Sequence, residues 1–290
     1  KSIYITHPNG FTTVYAHLSK FTPKIEAYVK SIQYKKECYE IEESRFKEDT
    51  FPVKKGELIA FSGDTGGSGG PHLHFEIRDN KSEKIINPLL FGIAINDSIP
   101  PIFQSVKVYP LDDDAHINHQ NNSFQLPIKK LVDGNFIADK ITAYNAIGFG
   151  VEVFDKGNEA NNTLGIQSLE MLVNGKRFYH HDLETFSFPE SKYINLHIDY
   201  EHFKKYKTRF QKTFIDSVNT LSTYKELVDF GKIHIEKELN YTISIIAKDF
   251  YGNKLYGTFI SDMNKENLMF TTKVKSFSNE VSPLKRVEYV

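Results

Sequence analysis

The feature that most constrains this sequence is a glycine-dense loop running straight into an alternating strand. Gly63, Gly66, Gly67, Gly69 and Gly70 are followed by Pro71-His72-Leu73-His74-Phe75-Glu76. Glycine lets the backbone turn sharply and approach a ligand closely. In a strand, side chains alternate faces. His72, His74 and Glu76 are therefore expected on one face, with Leu73 and Phe75 pointing the other way into a core. Two imidazoles spaced this way stand roughly 7 Å apart along the strand. They reach one site without both having to bind one ion: one suits a metal, the other the metal-bound water or a substrate oxygen. Upstream, Tyr15-Ala16-His17-Leu18 puts a third imidazole at a strand end, where it suits proton transfer or a hydrogen bond to a developing oxyanion. A lone His-x-His pair is more often structural than functional. Here it is the combination with the glycine loop and the second histidine segment that carries information.

The surrounding pattern reads as mostly β. Ile3-Tyr4-Ile5, a Pro8-Asn9-Gly10 turn and Thr12 to Tyr15 form a hairpin within residues 1–21. Ile25, Tyr28, Val29 and Ile32 fall at helical spacing inside an insertion at about 22–52. That insertion is expected to hold one helix plus an edge strand in the stretch containing Cys38, Tyr39, Ile41 and Phe46, and to wall the substrate groove. A turn at Lys54-Lys55-Gly56, flanked by short strands, leads to the glycine loop, and Asn87-Pro88-Leu89 closes the unit. Pro100-Pro101 forces an extended backbone and marks a boundary, giving an N-terminal unit over 1–97 and a second over 98–290. In the second, strand-like runs at 105–109, 142–154, 167–173, 176–180, 233–235, 241–247 and 255–260 alternate with turn signals such as Asn174-Gly175 and Tyr251-Gly252-Asn253. This punctuation predicts an antiparallel immunoglobulin-like β-sandwich, with a short helical insertion over 199–209.

At 290 residues the chain has room for two such units. Its 36 basic and 37 acidic residues supply no basic stripe, which sets nucleic-acid binding aside. Its single cysteine, Cys38, excludes both an internal disulfide framework and a multi-thiolate metal site. No apolar run approaches the ~20 residues of a membrane span. The chain opens at Lys1, already in a strand, so its natural beginning is expected upstream.

Taken in order, several segments resemble the LytM/lysostaphin-type zinc endopeptidases of bacterial cell walls. They are the Asn9-Gly10 turn, Thr13-Val14-Tyr15-Ala16-His17-Leu18-Ser19, Val53-Lys54-Lys55-Gly56, Ser62-Gly63-Asp64-Thr65-Gly66 and Gly70-Pro71-His72-Leu73-His74-Phe75-Glu76. The resemblance implies an antiparallel peptidase domain in which His74 ligates zinc while His72 and His17 flank the zinc-bound water as catalytic groups. Zinc-activated water would be the nucleophile on peptide crosslinks or stem peptides of peptidoglycan. Two further ligands, a histidine and an aspartate, are expected before Lys1, so the N-terminal unit is expected to be incomplete and the chain alone inactive. The insertion and the second unit resemble large envelope peptidases of Bacteroidota, implying a periplasmic or outer-membrane location. The expected partners are peptidoglycan peptides, together with an upstream fragment of the same protein or an envelope complex. The competing reading is a catalytically degenerate envelope protein that binds wall peptides, activates another hydrolase or serves as a subunit of an envelope complex.

The remaining histidines read as turn, surface or packing residues. His7 sits beside the hairpin turn. His180 and His181 are adjacent on a strand and face opposite ways beside Asp182, and His116, His119, His197, His202 and His234 lack ligand spacing. Glu76 shares a face with His72 and His74 and suits either an orienting role or plain solvation at a strand end.

Overall fold

The computed structural model describes residues 1–41, 50–158, 162–236 and 239–261. The expected hairpin forms from β1 (Ile3–Thr6) and β2 (Phe11–Ala16), antiparallel with Tyr4 opposite Val14. Gly10 at the turn takes a positive φ of 88°. β3 (Lys20–Phe21) precedes helix α1 (Pro23–Lys36), which begins with proline at its first turn and ends at Glu37 in the left-handed region. None of the residues of α1 is buried, as befits a peripheral insertion. The expected edge strand does not begin by residue 41, and positions 42–49 lie outside the described residues. β4 (Ala60–Phe61) pairs with β3, whereas Phe51–Val53 form no strand before the Lys54–Glu57 turn.

β5 (His74–Asp79) pairs with β2 on one side and with β6 (Ile85–Ile86) on the other. Val14 and Ile77 are buried in this unit. The regular strand starts at His74; His72 makes only an isolated bridge to Gly63. Leu73 corrects one expectation. It is 49% exposed instead of facing a core, because the chain is still leaving the glycine loop there and the sheet's packed face begins at Phe75 and Ile77.

Beyond Pro101 two sheets share one hydrophobic core. The first is centred on the long strand Ala143–Phe154, paired antiparallel with Ile102–Pro110. The second runs through Ser168–Val173, Lys176–Asp182, Tyr241–Lys248 and Lys254–Ser261. Strand Tyr241–Lys248 alternates buried and less buried residues, as a strand with one packed face must. Val106, Val108, Phe149 and Val151 from the first sheet meet Leu169, Met171, Ile243, Ile245 and Phe259 from the second, all at 1% exposure or less. Phe149 stacks on Phe259 at 5.5 Å, and Phe103 meets Phe136 edge-on at 4.6 Å. Not every pairing is antiparallel as expected: Phe136–Ala138 runs parallel to Lys254–Ser261. Among the described residues the two sheets carry seven and six strands, more than a minimal immunoglobulin domain.

Two glycines shape this core's surroundings. A Cβ at Gly257 would collide with the Phe136 ring, and one at Gly148 with the Phe214 ring, which covers the outer face of the long strand. The expected helix at 199–209 forms over Tyr200–Tyr206, capped by the Asp199 side chain accepting from His202 N–H. Two single-turn helices, Phe188–Ser191 and Ile194–His197, precede it and were not apparent in the sequence.

The N-terminal sheet does not stop where the sequence suggests a boundary. Strand Thr185–Phe186 from the second half pairs with β6 and becomes its fifth strand. Asn87 N–H donates to the Glu184 carbonyl at 2.8 Å, and Asn87 Nδ2 donates to Gln167 Oε1 at 2.7 Å.

His181 and His197, each 1% exposed, stack with ring centroids 4.4 Å apart. His197 also faces Tyr224 Oη at 3.0 Å, so it is a packing residue. Burial pushes its pKa down from 6.5 to about 4, and burial followed by the charge of His197 pushes His181 down as well. The fold therefore holds both rings neutral. Their contribution to stability is complete above about 6.5 and is lost as the pH falls toward 4, where the unfolded chain binds protons the native state refuses. Thermal melts should show wild type losing more Tm than His197→Gln between pH 7 and pH 4; parallel curves would contradict this account. Gly257→Ala should cost about 1–3 kcal/mol in urea unfolding, the range for overpacking a filled core, since the Phe136 ring has to move.

Candidate active site

The register of β2 on β5 builds the site. Ala16 lies opposite His74, Tyr15 opposite Phe75 and Val14 opposite Glu76. His17 is the first residue past β2 and takes a left-handed conformation, φ 57°, which is uncommon and costly for a residue with a Cβ. That turn brings its ring toward β5. The His17 ring centroid lies 4.7 Å from that of His72 and 5.6 Å from that of His74. The structure thus brings together all three imidazoles singled out in the sequence.

Each ring is held through one nitrogen. His17 Nδ1 lies 2.8 Å from the Thr65 carbonyl oxygen, and His72 Nδ1 lies 2.8 Å from the Gly70 carbonyl oxygen. A carbonyl only accepts, so in both rings Nδ1 carries the proton and Nε2 the lone pair. Ser68 braces the second contact, with Oγ 3.3 Å from His72 Nδ1 and a hydrogen bond to the Gly70 carbonyl. The glycine loop thus lets its carbonyls reach the rings, and Gly66 passes His17 at φ 83°.

His74 is held the opposite way round. Its Nε2 lies 2.5 Å from Glu76 Oε1, so Nε2 donates and the lone pair of the neutral ring is on Nδ1. Arg78 in turn donates to Glu76 Oε2 from Nε at 2.7 Å and pairs with it through Nη2 at 2.6 Å. His74, Glu76 and Arg78 form one row at alternate positions on one face, with buried Val14 opposite Glu76. The Arg78 guanidinium also lies over the Phe188 ring at 4.5 Å and the Tyr4 ring at 5.2 Å. The row that fixes His74 therefore ends against the second half of the chain.

The arrangement offers one carboxylate-backed imidazole nitrogen, the usual environment of a metal-ligating histidine. Beside it stand two imidazoles with unprotonated Nε2 atoms, suited to accept a proton or, once charged, to donate one. His72 is exposed, while His17 and His74 are half-buried, so a polymeric substrate has access. His7 stands apart at the hairpin, its Nε2 2.8 Å from Thr13 Oγ1. Sequence reasoning missed Thr65, Ser68 and Arg78. Arg78 was discoverable, since it continues the alternation of His74 and Glu76. The Thr65 contribution is a backbone carbonyl, which no side-chain pattern announces.

Residues 39–88 match the model of Peptidase family M23, a span that takes in His72 and His74 and begins beyond His17. The chain is 34% identical over 88 residues to the DD-carboxypeptidase/endopeptidase Mpg of Neisseria meningitidis, covering 30% of this chain and 14% of that protein. The same figures hold for the Mpg of Neisseria gonorrhoeae. An uncharacterized metalloprotease of Haemophilus influenzae is 38% identical over 87 residues, 30% of this chain and 13% of that protein. The chain thus spans only a small part of the length of these relatives, and no solved structure matches it. With the histidine-bearing strand and its glycine loop inside the matched span, the first part of this chain is similar to peptidase family M23, the LytM-type peptidases.

Proposed function

We propose that this chain carries one wall of the catalytic centre of a zinc-dependent endopeptidase that hydrolyses peptide crosslinks or stem peptides of peptidoglycan in the bacterial envelope. The observation that carries this reading is the anchoring of three clustered imidazoles, each through one nitrogen, so that a lone pair is left on the other.

His74 is the metal ligand. Its Nδ1 is the donor atom, and Glu76, backed by Arg78, fixes the ring's tautomer and orientation. Imidazole donors suit zinc among the common biological metals. The family resemblance assigns the remaining ligands to a histidine and an aspartate outside the segments described above. Bound zinc supplies a water of lowered pKa and a Lewis acid for the scissile carbonyl. His72 and His17 handle protons and charge: with Nδ1 fixed on a loop carbonyl, each Nε2 takes up a proton and then, as imidazolium, stabilises negative charge on the carbonyl oxygen. Peptidoglycan as substrate rests on the family and on the open, exposed edge of the site.

Metal analysis of the full-length protein, alongside a digest of purified cell wall, tests the proposal. His74→Ala should abolish zinc binding. His72→Ala and His17→Ala should each keep zinc yet lower turnover about 10²–10⁴-fold, the range for general acid–base groups. Zinc retained at full occupancy in His74→Ala would sink the metal assignment. Wall binding without cleavage by wild type would favour a degenerate peptide-binding protein. Glu76→Gln keeps a hydrogen-bond acceptor but removes the charge, and should weaken zinc about 10–100-fold in competition with a chelator. Unchanged affinity would make Glu76 a strand residue only.

A further inference from the structure

Away from the histidines, three carboxylates converge where the two halves of the chain join. Asp97 lies in the segment that leads from the N-terminal unit toward strand Ile102–Pro110. Asp155 directly follows strand Ala143–Phe154 of one sheet, and Asp249 directly follows strand Tyr241–Lys248 of the other. Each offers an oxygen within 4.8 Å of an oxygen of the other two. Asp155 and Asp249 are both 4% exposed, and Asp97 is half-buried.

Such a cluster is costly unless something neutralises it. Asp249 accepts from Asn253 N–H at 2.9 Å and from Asn253 Nδ2 at 2.6 Å, and Asp97 Oδ1 accepts from Ile99 N–H at 3.1 Å. Asp155 Oδ1 is different: it is buried and has no hydrogen-bond partner among the described residues. The side-chain charges that bear on Asp155 are those of Asp249 and Asp97, both of its own sign. Lys248, the neighbour of Asp249 in sequence, is engaged by Glu170. Burial, partly offset by a hydrogen bond from the Lys156 backbone and reinforced by the repulsion of Asp249 and Asp97, pushes the Asp155 pKa up to about 6. A proton would lower the charge by one unit, while a divalent cation would offset two and occupy the orphaned oxygen as well.

We propose that Asp97, Asp155 and Asp249 form a calcium site that pins the linker between the two units to both sheets of the second. The ligand set is oxygen only, which selects a hard cation. The oxygens lie within 4.8 Å of one another, near the span that one ion bridges with calcium–oxygen bonds of ~2.3–2.6 Å, so a small adjustment of these side chains lets one ion touch all three. Calcium accepts irregular geometry and completes its shell with carbonyls and waters, whereas magnesium demands a near-ideal octahedron. Three loop-borne carboxylates from separate segments match the first requirement better. The site uses none of the residues assigned to peptide hydrolysis.

The test uses the full chain, stripped with EDTA and then titrated with CaCl₂ or MgCl₂ while Tm is followed, and with Tb³⁺ while sensitised luminescence is followed. Calcium should raise Tm in a concentration-dependent way, with magnesium weaker, and should slow cleavage within the 92–101 segment by proteinase K, which needs no basic residue there. Asp155→Asn should keep or raise the calcium-free Tm, because it removes a buried like charge, and should weaken calcium at least about tenfold. Asp97→Asn, at a half-buried position, gives the same readout should the Asp155 variant fold poorly. His74→Ala should keep the full calcium response, separating this site from the peptidase centre. A wild-type Tm indifferent to millimolar calcium, with stability merely rising as the pH falls through about 6, overturns the proposal, since the carboxylates would then share protons. Asn variants that respond to calcium like wild type overturn it as well.

Discussion

The pairing of β2 with β5 is the constraint on which the site depends. Placing Ala16 across from His74 leaves His17 at the last rung of the ladder, where one left-handed residue is enough to swing its ring toward the neighbouring strand. A slip of one residue in this register would turn His74, Glu76 and Arg78 to the opposite face and leave His17 facing nothing. The alternation of Phe75 and Ile77 with the polar row, and the burial of Ile77, oppose that slip. Packing on the sheet and placement of the histidines are consequences of one register.

How far this was legible in the sequence varied with the kind of interaction. Period-two alternation and turn residues are local signals, so the hairpin, the strand bearing His74 and the longer strands of the second half could be placed in advance, whereas its strands of two to four residues largely could not. The clustering of the three candidate histidines followed from the same alternation joined to the family resemblance. What stayed hidden was set by non-local contacts. Leu73 belongs by pattern to a packed face, yet the sheet does not extend far enough to cover it. Strands of two residues, such as Thr185–Phe186, carry no periodicity and exist only because a partner edge is waiting for them. The parallel pairing of Phe136–Ala138 joins segments more than a hundred residues apart, beyond the reach of any turn signal.

The histidines illustrate how environment, and not residue type, assigns a role. His181 and His197 are stacked, deeply buried and held neutral by the loss of water. His17, His72 and His74 stand near one another at the surface, each oriented by an acceptor of its own. The first pair resists protonation by desolvation. The second group keeps the access to solvent and the fixed tautomers that proton traffic requires.

The fifth strand of the N-terminal sheet has a practical corollary. Severing the chain at the Pro100-Pro101 step would strip β6 of its outer neighbour and leave the backbone donors and acceptors of Ile85 and Ile86 open at a sheet margin. An uncovered margin bearing two isoleucines invites strands from other molecules. An excised N-terminal module would thus be prone to self-association through a margin that Thr185–Phe186 covers in the longer chain.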